Sequence, residues 1–179
     1  MPTAPIAAAL ERVSAVLQRR PESGLHDDAP ATARWSGGLR VVALHPGGHQ
    51  VATDMPTEFG GTGDQVTPGW LFRAGIASCA TASIALKAAS EGIELSTLEL
   101  RATSRSDTRG MLGMTDTDGR LVSAAPGDLK LHVLIAADGV APERLRALVE
   151  RGVRCSPIPS AVQLALPLAL DIDVDIERD

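Results

Sequence analysis

The first hydrophobic pattern in the chain is helical. Ile6, Leu10, Val13, Val16 and Leu17 share a face, with Glu11, Arg12 and Arg19 off it, which predicts an amphipathic helix over residues 3–20. Pro21 to Pro30 is polar and rich in turn formers, so it reads as a linker. From Thr32 to Asp54 the period changes. Ala33 to Trp35, Leu39 to Leu44 and His49 to Thr53 are short strand-like runs, separated by Ser36-Gly37-Gly38 and Pro46-Gly47-Gly48. This is the pattern of a β-meander. Met55 to Val66 carries Pro56, Gly60, Gly61 and Gly63 and reads as a loop.

The stretch from Thr67 to Glu91 predicts one long helix. Thr67 is a suitable N-cap and Pro68 suits the first helical position. Lys87 complements the dipole near the far end, and Gly92 can adopt the left-handed conformation that stops a helix. No charged residue lies between Arg73 and Lys87, where Ala, Gly and Ser dominate. Such a helix can be covered closely on nearly all sides. Its apolar run is shorter than the ~20 residues of a membrane span, so no membrane segment is expected.

Beyond Gly92, Leu98, Leu100 and Ala102 alternate with polar residues, and so do Leu129, Leu131, Val133 and Ile135. Both segments read as strands. Between them, Asp107-Thr108-Arg109-Gly110 is a break, and Asp118-Gly119 is a turn signal within a polar hairpin region. Pro142 opens a helix with an apolar stripe of Leu145, Leu148 and Val149, which ends near Gly152. Ser156 can cap a short helix starting at Pro157. Leu168, Leu170, Ile172, Val174 and Ile176 alternate with Asp171, Asp173, Asp175 and Glu177, predicting a closing strand with a solvated acidic face. Strands and helices joined by hairpins indicate an α+β fold. Residues 1–30 would form an N-terminal helix and linker, and residues 31–179 the main domain.

Composition narrows the chemistry. The aromatic content of 2% leaves Ala, Leu, Val and Ile to fill the core, and the net charge of −5 gives no footprint for nucleic acid or an anionic membrane. No signal-peptide pattern stands at the N-terminus, so a cytoplasmic location is expected. His26, His45, His49 and His132 lack metal-ligand spacing, and GGTGDQVTPG lacks the Lys of a phosphate loop, so neither metal nor cofactor is expected. The two cysteines, Cys79 and Cys155, remain as free thiols, a redox pair or, for Cys79, a small buried hydrophobe.

The block Pro56-Thr57-Glu58-Phe59-Gly60-Gly61, then Thr67-Pro68, Leu71-Phe72, Ala74-Gly75 and Ser78-Cys79, resembles the signature of the OsmC/Ohr family of osmotically inducible and organic-hydroperoxide-resistance proteins. Cys155 beside Ser156-Pro157 and the final alternating segment extend the resemblance, which covers roughly Thr32 to the C-terminus. It implies antiparallel sheets wrapped around a long central helix in an intertwined homodimer. It also implies a thiol-dependent peroxidase that reduces organic or inorganic hydroperoxides. Cys79 would be the peroxidatic thiol, Cys155 the resolving thiol, and a dithiol the reductant.

The chain departs from the peroxidase pattern twice. Gly69 stands where a Glu usually follows the Thr-Pro pair and orients a catalytic Arg. Ser156 stands where the resolving Cys usually precedes Pro. Glu58 is the nearest acidic substitute in sequence for the missing Glu. Arg40, after Gly37-Gly38, best matches the activating Arg, with Arg34 as the alternative; Arg73 falls on a different helix face from Cys79. Two further readings stay open. One is a fold without peroxidase chemistry that binds a small apolar ligand. The other is a peroxidase with Cys79 alone, resolved by an external thiol.

Overall fold

The computed structural model describes residues 3–174. Helix α1 (Ala4–Arg19) and a 3-10 turn (Pro21–Gly24) precede a three-stranded antiparallel sheet of β1 (Thr32–Trp35), β2 (Val41–Leu44) and β3 (Gln50–Thr53). The long helix α2 (Pro68–Ser90) follows. Next come β4 (Thr97–Arg105), a short helix α3 (Thr108–Met111) and β5 (Gly127–Ala136). Helices α4 (Pro142–Arg154) and α5 (Pro157–Leu164) complete the described elements. The α+β class read from the sequence therefore holds.

Helix α2 begins and ends as its residues dictate. Thr67 Oγ1 accepts from the Trp70 amide at 3.2 Å, Pro68 occupies the first turn, and Gly92 takes φ +65° just beyond the end. Ile76, Ala80, Ile84 and Ala88 recur every four residues and form its buried stripe. Helices α1, α4 and α5 and strand β4 pack on α2. At 23 residues, about 34 Å, α2 is long and apolar enough to span a bilayer by length and composition alone. Counting only the charge-free run therefore took too short a segment. The four elements packed on α2 are what a core helix of a folded domain carries.

Strands β4 and β5 pair antiparallel with Leu98 opposite Ile135, Leu100 opposite Val133 and Ala102 opposite Leu131. That register sets the expected apolar positions on one face, which lies toward α2. At the end of the helix layer, Ala88, Ile93, Leu145 and Leu148 form a buried cluster flanked by Leu95, Ile135 and Val140. Arg151 clamps Glu91 with bonds of 2.8 and 3.1 Å, tying the C-terminal ends of α2 and α4 together.

The α2–α4 crossing is close because residue 152 has no side chain. A Cβ on Gly152 would stand 2.7 Å from Ile84 Cγ1 and 2.8 Å from Ile84 Cα. Only glycine lets the two backbones approach this far.

The structure departs from the sequence reading in two places. The β1–β3 meander forms, but among the described residues it is not packed on any of the helices. Within one chain it does not wrap around α2. The closing strand expected over Leu168 to Ile176 is not formed: residues 165–174 carry no strand, and Ile176 lies outside the described residues. A strand needs an edge to pair with, and neither described sheet takes up this segment. Leu168 and Leu170 are consequently 94% and 78% exposed.

Candidate active site

Cys79 sits in the middle of α2 and is half-buried. Two donors converge on its sulfur. Ser156 Oγ donates at 3.2 Å and the Ile158 backbone amide at 3.5 Å. Both belong to the junction of α4 and α5. Ser156 has the extended backbone of an N-cap, φ −91° and ψ 118°, but its hydroxyl caps nothing. It turns to the thiol instead, and Ser156 is fully buried. The cap expected from sequence thus becomes a contact with Cys79. The Ile158 amide is free to reach the sulfur because the first turn of a helix leaves its N–H groups without internal partners.

Cys155 is adjacent in sequence but sits differently. It is exposed at the end of α4 and lines a cleft of about 340 Å³ with Leu10 and Ser14 of α1 and with Ser83 and Leu86 of α2. Both cysteines are free thiols.

Arg40 is not a free surface residue. Its guanidinium donates to Thr62 Oγ1 at 2.7 Å and to Asp54 Oδ2 at 3.4 Å, and it pairs with Asp64. Asp54 is 2% exposed and organises this cluster. It accepts from the Thr62 hydroxyl at 2.5 Å, the Thr62 amide at 2.9 Å and, through its other oxygen, the Met55 amide at 2.8 Å. The Thr62 bonds come first in holding its pKa down at about 2, with Met55 and Arg40 adding to them against the opposing effect of burial. Asp64 is likewise lowered, chiefly by the Thr62 hydroxyl and then by the charge of Arg40.

The acid that holds Arg40 therefore comes from the end of β3 and the following loop, not from Glu58, whose carboxylate, among the described residues, accepts only from Thr57. Gly61 permits this folding of the loop, since a Cβ there would collide with the Met55 carbonyl and stand 2.9 Å from Asp54 Oδ1. Around Gly69, the nearest neighbours an added Cβ would meet are Arg73 Nη1 at 3.7 Å and Thr67 Oγ1 at 3.9 Å. Arg73 also donates to Ser104 at 3.4 Å. Arg34, the alternative to Arg40, is exposed on β1. Arg109 is bound to Asp107 by bonds of 2.5 to 3.1 Å and stays in its own turn.

Two clusters of polar contacts gather the candidate residues: Cys79 with Ser156 and Ile158, and Arg40 with Asp54, Thr62 and Asp64. No hydrogen bond or ion pair among the described residues joins them. Cys79 and Arg40 are among the candidates expected from the sequence; Asp54, Thr62 and Asp64, which hold Arg40, were not among them. The sequence reading also gave Ser156 the wrong partner. The usable signal for the loop was the Gly60-Gly61 pair between Asp54 and Thr62; for Ser156 it was its place before Pro157, where the resemblance expects the thiol that meets Cys79. Among the described residues, no group of three or more His, Cys, Asp or Glu side chains could hold a metal.

Residues 61–171, more than half of the chain, match the family model described as OsmC-like protein. No curated protein matches the chain. Among solved structures, an OsmC-like protein from Mycoplasma pneumoniae superimposes with a TM-score of 0.64 at 18% identity, covering 78% of this chain and 89% of that one. An organic hydroperoxide resistance protein OsmC from Legionella pneumophila gives 0.56 at 22% identity, covering 78% and 91%. An OsmC-like protein of unknown function from Vibrio cholerae gives 0.58 at 12% identity, covering 77% and 95%. At these identities the likeness is one of fold.

Proposed function

The chain belongs to the OsmC-like protein family, and from that premise we propose that it is a thiol-dependent peroxidase with Cys79 as the nucleophile. The observation that carries the reading is the pair of donors on the Cys79 sulfur, Ser156 Oγ and the Ile158 amide. A small buried hydrophobe needs no such donors. A sulfur that must bear negative charge does, because the thiolate is the attacking species. Solved relatives described as organic hydroperoxide resistance proteins add support from family alone.

In the proposed reaction the Cys79 thiolate attacks the outer oxygen of a hydroperoxide. The S–O bond forms as the O–O bond breaks, and the alkoxide leaves as the alcohol after taking a proton. Cys79 is left as a sulfenic acid, which thiol chemistry then reduces. In this reading Arg40, held by Asp54, Thr62 and Asp64, is the proposed cation for the peroxide oxygens, brought to Cys79 in the assembled protein.

The proposed working unit is a homodimer. The β1–β3 sheet lacks a helix of its own chain to pack on, Trp70, Phe72 and Leu86 are exposed on α2, and the apolar residues of 168–174 stand in solvent. This exposed apolar surface is what supports a contact between chains.

One observation favours a second reading, a binding protein without chemistry. A cleft of about 760 Å³ runs between α2, α5 and the start of β5, lined by Phe72, Pro126, Leu129, Ile158, Val162 and Leu166. Stopped-flow mixing of reduced protein with cumene hydroperoxide, with thiols counted by mass spectrometry, separates the two. A peroxidase loses the Cys79 thiol rapidly, and Cys79→Ser abolishes turnover. Full turnover in Cys79→Ser would refute the assignment.

A further inference from the structure

The side chain pressed against Cys79 is an alcohol, and the neighbouring cysteine faces elsewhere. Ser156 Oγ lies 3.2 Å from Cys79 Sγ, is fully buried, and fills the place next to the sulfur. Cys155 is exposed and lines the cleft against α1. Successive residues at the end of α4 thus send their side chains to different surroundings. An alcohol cannot take over an oxidised sulfur: a serine oxygen bonded to the Cys79 sulfur would leave that sulfur at the oxidation level of a sulfenic acid. A disulfide needs a second sulfur within about 2 Å, on a Cβ with suitable direction.

We propose that Cys79 works as a single-cysteine centre whose sulfenic acid is attacked directly by an external thiol, with Ser156 as the positioning residue that holds the sulfur in place of a resolving thiol. This rests on the peroxidase reading above. The cycle balances without Cys155. After the first step has released the alcohol, the external thiolate attacks the Cys79 sulfur. An S–S bond forms as the S–O bond breaks, and the oxygen leaves as water with the sulfenic proton and one more from the thiol. A second molecule of thiol attacks the outer sulfur of this mixed disulfide, which frees Cys79 and releases the oxidised disulfide. In sum, one hydroperoxide and two thiols give one alcohol, one water and one disulfide.

Ser156→Cys makes the geometry testable by gain rather than loss. A sulfur at residue 156 starts from a 3.2 Å oxygen–sulfur contact, and the longer C–S bond shortens what remains to a disulfide. The full-length wild type and Ser156→Cys are each treated, without reductant, with one equivalent of cumene hydroperoxide in the presence of dimedone. The expected wild-type product is a dimedone adduct at Cys79 with Cys155 still alkylated by iodoacetamide. The expected Ser156→Cys product is a disulfide between Cys79 and the introduced thiol, a mass loss of two hydrogens, with the dimedone adduct gone. A Cys79–Cys155 bridge in the oxidised wild type would overturn external resolution while leaving the peroxidase reading intact. A parallel oxidation with diamide reads the geometry without peroxide chemistry. If diamide bridges Ser156→Cys but peroxide oxidises Cys79 in neither protein, the peroxidase reading fails and this cycle with it.

Discussion

Gly152→Ala tests whether the α2–α4 crossing sets the environment of Cys79. The new Cβ would stand 2.7 Å from Ile84 Cγ1, 2.8 Å from Ile84 Cα and 3.1 Å from Ile84 N. Two of these atoms are backbone, so a rotamer change cannot relieve the overlap. To restore ordinary contact at the Ile84 Cα, the helices must part by about 0.6 Å. Overpacking of this kind costs roughly 2–3 kcal/mol in a rigid setting. Replacing glycine by alanine inside a helix returns about 1 kcal/mol. The net loss of about 1–2 kcal/mol lowers the melting temperature by roughly 2–8 °C for a chain of this size. Parting the helices also carries Ser156 away from Cys79, because α4 ends two residues before that serine. The assay is thermal unfolding by circular dichroism, paired with the rate of Cys79 alkylation by iodoacetamide. The variant should melt lower and alkylate at a changed rate. A melting temperature equal to or above wild type, with unchanged alkylation, would show slack at the crossing and refute the argument.

Three other outcomes are expected. Asp54 is held at about pKa 2, below its ordinary 3.8, so its contribution is fully present above about pH 4 and is lost as pH falls through about 2; urea midpoints should drop over that window, and Asp54→Asn should flatten the drop. Arg40→Ala should lower peroxide turnover about a hundredfold while leaving Cys79 available to iodoacetamide, and equal turnover in steady-state assays would remove Arg40 from the mechanism. Sedimentation equilibrium should give a dimer at micromolar concentration, and a stable monomer there would contradict the reading of the β1–β3 sheet and residues 168–174 as a surface between chains.

What could be read from sequence was local. The N-cap at Thr67, Pro68 in the first turn, the stop at Gly92 and the alternation of Leu98 to Ala102 depend on neighbours in the chain, and all appear as expected. What could not be read was distant or needed a partner. Arg40 meets Thr62 and Asp64 across more than 20 residues, and Ser156 meets Cys79 across 77. A good N-cap residue was free to follow either rule, and the buried Ser156 hydroxyl goes to the Cys79 sulfur rather than to the helix. The strict alternation of Leu168 to Val174 is a sound strand signal, but alternation fixes a face and cannot supply an edge.

The sequence span of the Cys79–Ser156 contact has a consequence in time. Strands β1–β3 pair only with consecutive neighbours and can close as soon as they are made. Cys79 is made before the serine that covers it, and 77 positions separate the two. At a synthesis rate of 5–20 residues per second, the thiol waits about 4–15 s before its partner has even been joined to the chain. The Cys79 thiol is therefore made well before the side chain that covers it, and its surroundings are completed late in the birth of the protein.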